Sequence, residues 1–210
     1  MKKRFLAGMA LVLTAALAGC GGTTSTTTVA QTFSDLNADG DIAFTAPATY
    51  TFSQDILPRP GNVFFGLDGA GSEFRAFLDF PLDGSTGGGV VPSGATIVSA
   101  DIEVFINNVS LASTVPTLVD LVPFPITHLT PTDFNSIPLA TRSSFNFLRS
   151  DIGNFVRIDV TSLMQEAQRQ GLSNFQVRFL LDLVPGAGGL VEIADGVSTA
   201  TAPLLTVEYF

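Results

Sequence analysis

The chain has no tryptophan, one cysteine and one histidine, and only 14% of its residues are charged. A single cysteine cannot close an intramolecular disulfide, so stability has to come from a packed core, helped by a metal ion if one binds. The missing tryptophan weighs against an aromatic sugar platform. Basic residues are also scarce. Beyond residue 19 there is no lysine, and seven arginines face nineteen acids, a formal charge of −12. Such a surface repels nucleic acid and anionic headgroups, which excludes both as partners. No apolar run is long enough for a transmembrane helix. What is abundant is phenylalanine, eighteen of them, with many Val, Ile and Leu. This is the composition of a folded domain rather than a disordered chain.

The N-terminus has its own logic. Lys2, Lys3 and Arg4 form a positive region, a mostly apolar stretch runs from Phe5 to Leu17, and Leu17-Ala18-Gly19-Cys20 follows. The order is that of a secretory signal peptide. The tetrapeptide resembles the lipobox of bacterial lipoproteins, which implies cleavage before Cys20 and acylation of its thiol and amine. Several acyl chains anchor stably, because each buried methylene contributes about 0.8 kcal/mol and one chain alone is marginal. Gly21 follows the cysteine, not the aspartate that resembles an inner-membrane retention signal. The expected location is therefore the cell envelope, at the outer membrane. Residues 20–32 are small and polar, without hydrophobic period, and read as a flexible tether.

From Phe33 onward the dominant period is two, the mark of strands buried on one face. Phe74, Ala76, Leu78 and Phe80 alternate with Glu73, Arg75, Phe77 and Asp79. Ile102, Val104 and Ile106 alternate with Asp101, Glu103 and Phe105, and Phe175, Val177, Phe179, Leu181 and Leu183 share one side of another strand. Further strands are expected near 49–53, 62–66, 116–123, 155–160, 189–194 and 204–210. Between them stand Gly/Pro turns such as Pro58-Arg59-Pro60-Gly61 and Pro92-Ser93-Gly94. One helix is expected near 162–170, capped by Thr161 or Ser162, with Ser162 and Gln165 as a capping box and Gly171 at C′. A shorter turn is expected at Thr130-Pro131, with proline at N1. The sum is an all-β, antiparallel β-sandwich of jelly-roll or Greek-key kind, one domain over residues 33–210.

Four segments in order carry a family resemblance: Phe74–Phe80, Pro92–Val104, Asp159-Val160-Thr161-Ser162-Leu163, and Ala202–Tyr209. Together they resemble the DNRLRE-type domain, related to carbohydrate-binding module family 96, over roughly residues 45 to 210. The resemblance implies an extracellular β-sandwich with polysaccharide as a ligand class. The tryptophans usual in that family are absent here.

The sharpest local motif is Asp35-Leu36-Asn37-Ala38-Asp39-Gly40-Asp41-Ile42, which matches the first eight positions of a calcium loop. Asp35, Asn37 and Asp39 would offer side-chain oxygens and Asp41 its carbonyl. Ala43 and Ala46 stand at positions nine and twelve, so a distant acid such as Asp195 would have to complete the shell. The competing reading is an acidic turn before a strand.

Catalytic signals are weak. His128 stands alone beside the Leu129-Thr130-Pro131 turn, and neither Gly-x-Ser-x-Gly nor His-Glu-x-x-His occurs. Asp101/Glu103 and Glu73/Asp79 pair only along a strand face, where acids are normally solvated. The glycine-rich Gly66–Gly71 lacks the lysine of a phosphate loop. For ligand binding, Phe77 and Phe105 fall on otherwise polar strand faces and Tyr50 is a further aromatic; the alternative is that these rings pack on a second covered face. The expectation is a non-enzymatic, lipid-anchored binding module for extracellular or cell-wall polysaccharide. The alternative is a structural or adhesive module that grips an envelope protein without a sugar site.

Overall fold

A computed structural model describes residues 26–183, 188–196 and 200–210. The leader (1–19), Cys20 and the first residues of the tether lie outside the described residues. The fold is all-β and antiparallel, as the period-two pattern predicts, with twelve strands among the described residues hydrogen-bonded into one continuous, open sheet that packs in a sandwich-like way.

One part of that sheet runs in the order β1 (Thr28–Phe33), β12 (Leu204–Tyr209), β6 (Ile97–Ser110) and β9 (Phe155–Asp159). The other runs β8 (Ala140–Leu148), β7 (Thr114–Leu121), β10 (Asn174–Leu181), β5 (Glu73–Pro81), β4 (Asn62–Leu67) and β11 (Leu190–Ala194). A hairpin, β2 (Gly40–Thr45) with β3 (Thr49–Phe52), is added to β5 through β2. Strand β6 joins the two parts, because its first half pairs with β12 and β9 and its last residues with β11.

The alternation along β6 explains how one strand serves both. Its buried positions are Ile97, then Ala100, Ile102, Val104 and Ile106, then Val109. Parity flips twice, and each flip coincides with a register shift, at Val98 opposite Glu208/Tyr209 and at Asn107 opposite Glu192/Ile193. An extra residue at each point re-aims the following side chains and bends the strand. The main core lies between the two parts: Ile102, Val104, Ile158, Leu205 and Val207 meet Phe65, Leu78, Phe80, Val119, Val177 and Phe179.

Helix α1 (Pro131–Phe134) is the short turn expected at Thr130-Pro131, with proline at its first position and Asp133 Oδ2 accepting the Thr130 N–H at 2.7 Å. Helix α2 (Thr161–Gln170) buries Leu163, Met164 and Ala167 against the core and ends at Gly171, whose φ of 67° fits the left-handed C-terminal position. Its N-cap is Val160 rather than Thr161 or Ser162. Asp159 Oδ1 accepts the Thr161 N–H at 2.9 Å, and Gln165 donates to the Ile97 carbonyl instead of closing a capping box.

Two further expectations fail. The tether does not extend to residue 32: Thr28–Phe33 is a strand paired residue by residue with β12, from Thr28 opposite Tyr209 to Phe33 opposite Leu204. It buries only Ala30 and Thr32, so its pattern carries little hydrophobic signal. Phe77 is not on a polar face but fully buried. Both faces of β5 are covered. A second core of Ile42, Phe77, Val122, Phe124, Leu129 and Phe134 lies on the side away from the main one.

The covering segment, residues 122–139, is held by polar side chains from the sheet. Arg178 on β10 pairs with Asp120 and donates to the carbonyls of Asp133 (3.1 Å), Phe134 (2.9 Å) and Ser136 (3.0 Å). Gln176 makes two 3.0 Å bonds with the Phe124 backbone. Arg75 donates to the Phe134 carbonyl and stacks over its ring at 3.9 Å.

Candidate functional site

Two features adjoin where the β2–β3 hairpin meets β4 and β5: a group of buried carboxylates and an open cleft.

The carboxylates begin with the Asp35–Asp41 motif. Its first half is bonded to its own backbone. Asp35 Oδ1 accepts the Asn37 N–H at 3.0 Å, and the Asp35 carbonyl receives the N–H groups of Ala38 and Asp39, both at 2.8 Å. These bonds form a self-bonded acidic turn. Asp39 and Asp41 then turn inward and leave the surface. Asp39 Oδ1 accepts the Asp79 N–H at 2.6 Å, and Asp41 Oδ2 accepts the Phe64 N–H at 3.0 Å. Among the described residues no group of three or more His, Cys, Asp or Glu side chains is placed to hold a metal ion.

Asp195, the distant acid, does come to the motif. It follows β11, its N–H donates to the Gly61 carbonyl at 2.9 Å, and its carboxylate is close enough to couple with that of Asp39. Burial raises the pKa of Asp39 well above the usual carboxylate range, and the neighbouring Asp195 charge adds to the shift. Burial likewise lifts Asp41 to about 7, against the lowering effect of the Phe64 N–H. Asp195 is pushed up to about 6 by burial, which its hydrogen bonds with Asp39 and Ser34 and the charge of Arg59 only partly offset. Asp79 is also raised, by burial first, while Asn174 holds its carboxylate with two bonds at 3.0 and 2.9 Å.

The cleft has a volume of about 560 Å³. Strand register sets its floor: Asp41 faces Ala76, Ala43 faces Phe74 and Thr51 faces Ala43, so Asp41, Ala43, Thr51 and Phe74 share one side of the hairpin. The rings of Phe64 and Phe74 form one wall, edge to face with centroids 6.0 Å apart. Ser53, Asp55, Ile56 and Pro60, from the turn after β3, line the other side. Tyr50 and Phe52 alternate with Thr51 and belong to the opposite face, where they pack on the second core. They border the cleft from the strand edge.

The cleft residues were not legible as a site, although β4 held a signal. Phe64 and Phe65 are adjacent on one strand, so they must point to opposite faces. Phe65 takes the core and Phe64 is left for the cleft. Of the aromatic residues singled out from sequence, Phe77 lies in the second core and Phe105 lies elsewhere. Phe105 is half-buried on β6, its ring 5.1 Å from that of Phe155 on β9, which is 49% exposed. Of the paired acids, Asp101 pairs with Arg157 at 2.5 Å and Glu73 with Arg75 at 2.7 Å, while Asp79 is buried rather than solvated. His128 stays near the surface, 3.6 Å from Asp55. No protein-family model matches the chain, and no curated protein sequence matches it.

Proposed function

We propose that this chain is a lipid-anchored cell-envelope protein whose sandwich binds extracellular or cell-wall polysaccharide, without catalysing a reaction on it. The observation that carries the reading is the cleft. Sugars are held by stacking their apolar faces on aromatic rings while hydroxyls and carboxylates take the edges. Phe64 and Phe74 supply the rings, and Thr51, Ser53 and Asp55 supply polar edges. The leader, Cys20 and the resemblance to the DNRLRE-type domain support the same reading from the sequence side. The reading entails a covalent lipid on Cys20.

The ligand class narrows further. Asp41 and Asp55 line the cleft of a chain with a formal charge of −9, so an anionic polysaccharide is repelled and a neutral one fits.

A glycan array and retention on insoluble neutral polysaccharides test the binding. Wild type is retained, and Phe64→Ala and Phe74→Ala reduce retention at least tenfold. Equal retention of all three would remove the cleft from the function. For the anchor, cell fractionation places wild type with membranes and Cys20→Ala in the soluble fraction; a Cys20→Ala protein still in membranes overturns it.

A second reading has its own observation. Phe155 is exposed beside Phe105 on β9, a strand that pairs only with β6 among the described residues. An exposed aromatic beside a free strand edge suits a protein partner, as a structural or adhesive module would have. Loss of partner capture in Phe155→Ser, with sugar retention absent in wild type, would favour it.

A further inference from the structure

We propose that the space between Asp39 and Asp195 is a calcium site, built by carboxylates from the two ends of the sequence rather than by the Asp35–Asp41 loop alone. Asp39 is 1% exposed and its Oδ1 is occupied by the Asp79 N–H, but no protein donor reaches its buried Oδ2, and only a proton shared with Asp195 relieves it. Leaving a charged oxygen unpaired in the interior is costly, so that atom marks the place of a missing partner. Both Asp39 and Asp195 line a small cavity of about 10 Å³, enough for one water or one ion.

The surroundings select the kind of ligand. Asp195 is 3% exposed and its Oδ1 lies 3.5 Å from Ser34 Oγ, so a hydroxyl is available beside the two carboxylates. Arg59 borders the cavity, yet its Nη1 donates to the carbonyls of Leu36 and Asp39 rather than to either carboxylate. A divalent cation can displace the proton that the pair retains, because the two carboxylates then balance its charge. The donors are all oxygen, which disfavours zinc and copper. Calcium accepts six to eight oxygens in irregular geometry, whereas magnesium demands a regular octahedron and gives up water reluctantly. With two carboxylates instead of three or four, affinity falls in the range of extracellular modules, on the order of 10⁻⁴ to 10⁻³ M.

The site does not depend on what the cleft holds. Its role is to tie the β2 approach to the end of β11, which are 156 positions apart in sequence (Asp39 to Asp195).

Thermal unfolding of the purified mature chain at neutral pH, with calcium, magnesium or chelator, is the test, with calorimetric titration for stoichiometry. Calcium at a hundredfold over its Kd raises Tm by about 5 °C, one ion binds per chain, and magnesium does not substitute. Asp39→Asn and Asp195→Asn each abolish the response, while Asp35→Asn, on the self-bonded turn, keeps it. Asparagine matches the shape of the neutral acid, so the variants fold without metal, and either alone decides the question if the other does not express. No calcium shift in wild type, an equal shift with magnesium, or a shift that survives both variants overturns the site.

Discussion

Arg178 Nη2 lies 2.5 Å from Asp120 Oδ2, with both side chains about 95% buried. The pair bridges β10 and β7 on the outer face of the sheet, and the same guanidinium holds three carbonyls of the covering segment. A buried ion pair contributes little over a well-packed apolar substitute, but breaking one strands a charge. Arg178→Ala should therefore cost about 3–5 kcal/mol, read by urea denaturation. It should also open residues 122–139 to protease before the rest of the domain unfolds. In a double-mutant cycle, Arg178→Ala with Asp120→Ala costs less than the sum of the two.

The two phenylalanines Phe64 and Phe77 should separate binding from stability. Phe77→Ala empties a fully buried position in the second core and costs about 3–5 kcal/mol. Phe64→Ala removes a half-exposed ring from the cleft wall and costs about 1 kcal/mol or less, while sugar retention falls. Denaturation and retention on one polysaccharide, run on both variants, check the contrast.

Stability in chelator should fall as pH rises from about 4 to about 7. Asp41 and Asp195, with folded pKa values of about 7 and about 6, and Asp39 and Asp79, also raised, hold protons more tightly folded than unfolded. Their contribution is full below the unfolded pKa near 4 and is lost as pH passes through the folded values. Asp35, Arg59 and the Phe64 N–H face the same group, and the surface acids Asp159 and Glu166, lowered by hydrogen bonds from Thr161 and Arg169, oppose it only in more acid solution. Between pH 4.5 and 7.5 Tm should drop by at least ~2–4 °C, about 1 kcal/mol for a domain of this size. Asp41→Asn flattens the slope. A Tm that rises over that interval in chelator would contradict the assignment.

Gly66 closes β4 at a φ of 116°, and an added Cβ would stand 2.1 Å from the Gly189 carbonyl oxygen. That carbonyl accepts the Leu67 N–H at 2.8 Å, so neither backbone can retreat without losing a bond. Gly66→Ala should lower stability by about 2 kcal/mol or more. Gly71→Ala, with positive φ but open space around it, should cost less. Parallel denaturation curves would rank the two.

Strands β5, β6 and β10 were legible in the sequence because apolar residues mark every second position. β1 was not, since Thr28–Phe33 hides only Ala30 and Thr32, and its edge position asks for no more. β2 was obscured by the acidic motif, which reads as a metal loop although its second half, from Gly40, is already strand. β8 has a polar, mixed pattern and pairs only with β7 among the described residues. Phe77 was misplaced for a physical reason: polarity of the neighbours Arg75 and Asp79 implied solvent, but those groups serve a second covered layer. Arg75 binds the covering segment, and Asp79 is buried beside Asn174. At the candidate site, sequence linked Asp195 to the Asp35–Asp41 motif as a distant acid, but not to Asp39 in particular. Only folding placed them side by side, and only the register of β2 with β3 and β5 created the cleft.

Pairing of β1 with the last strand sets a leash length. On the anchored reading, seven residues separate Cys20 from Thr28, a reach of about 25 Å at full extension. A leash that short keeps the domain within about its own diameter of the bilayer. Thr28 enters the sheet opposite Tyr209, so the lipid would pull on one corner of the sandwich and on the strand pair that zips its two ends together. Force on the anchor would peel that pair starting from Thr28, before it reached the cleft or the core.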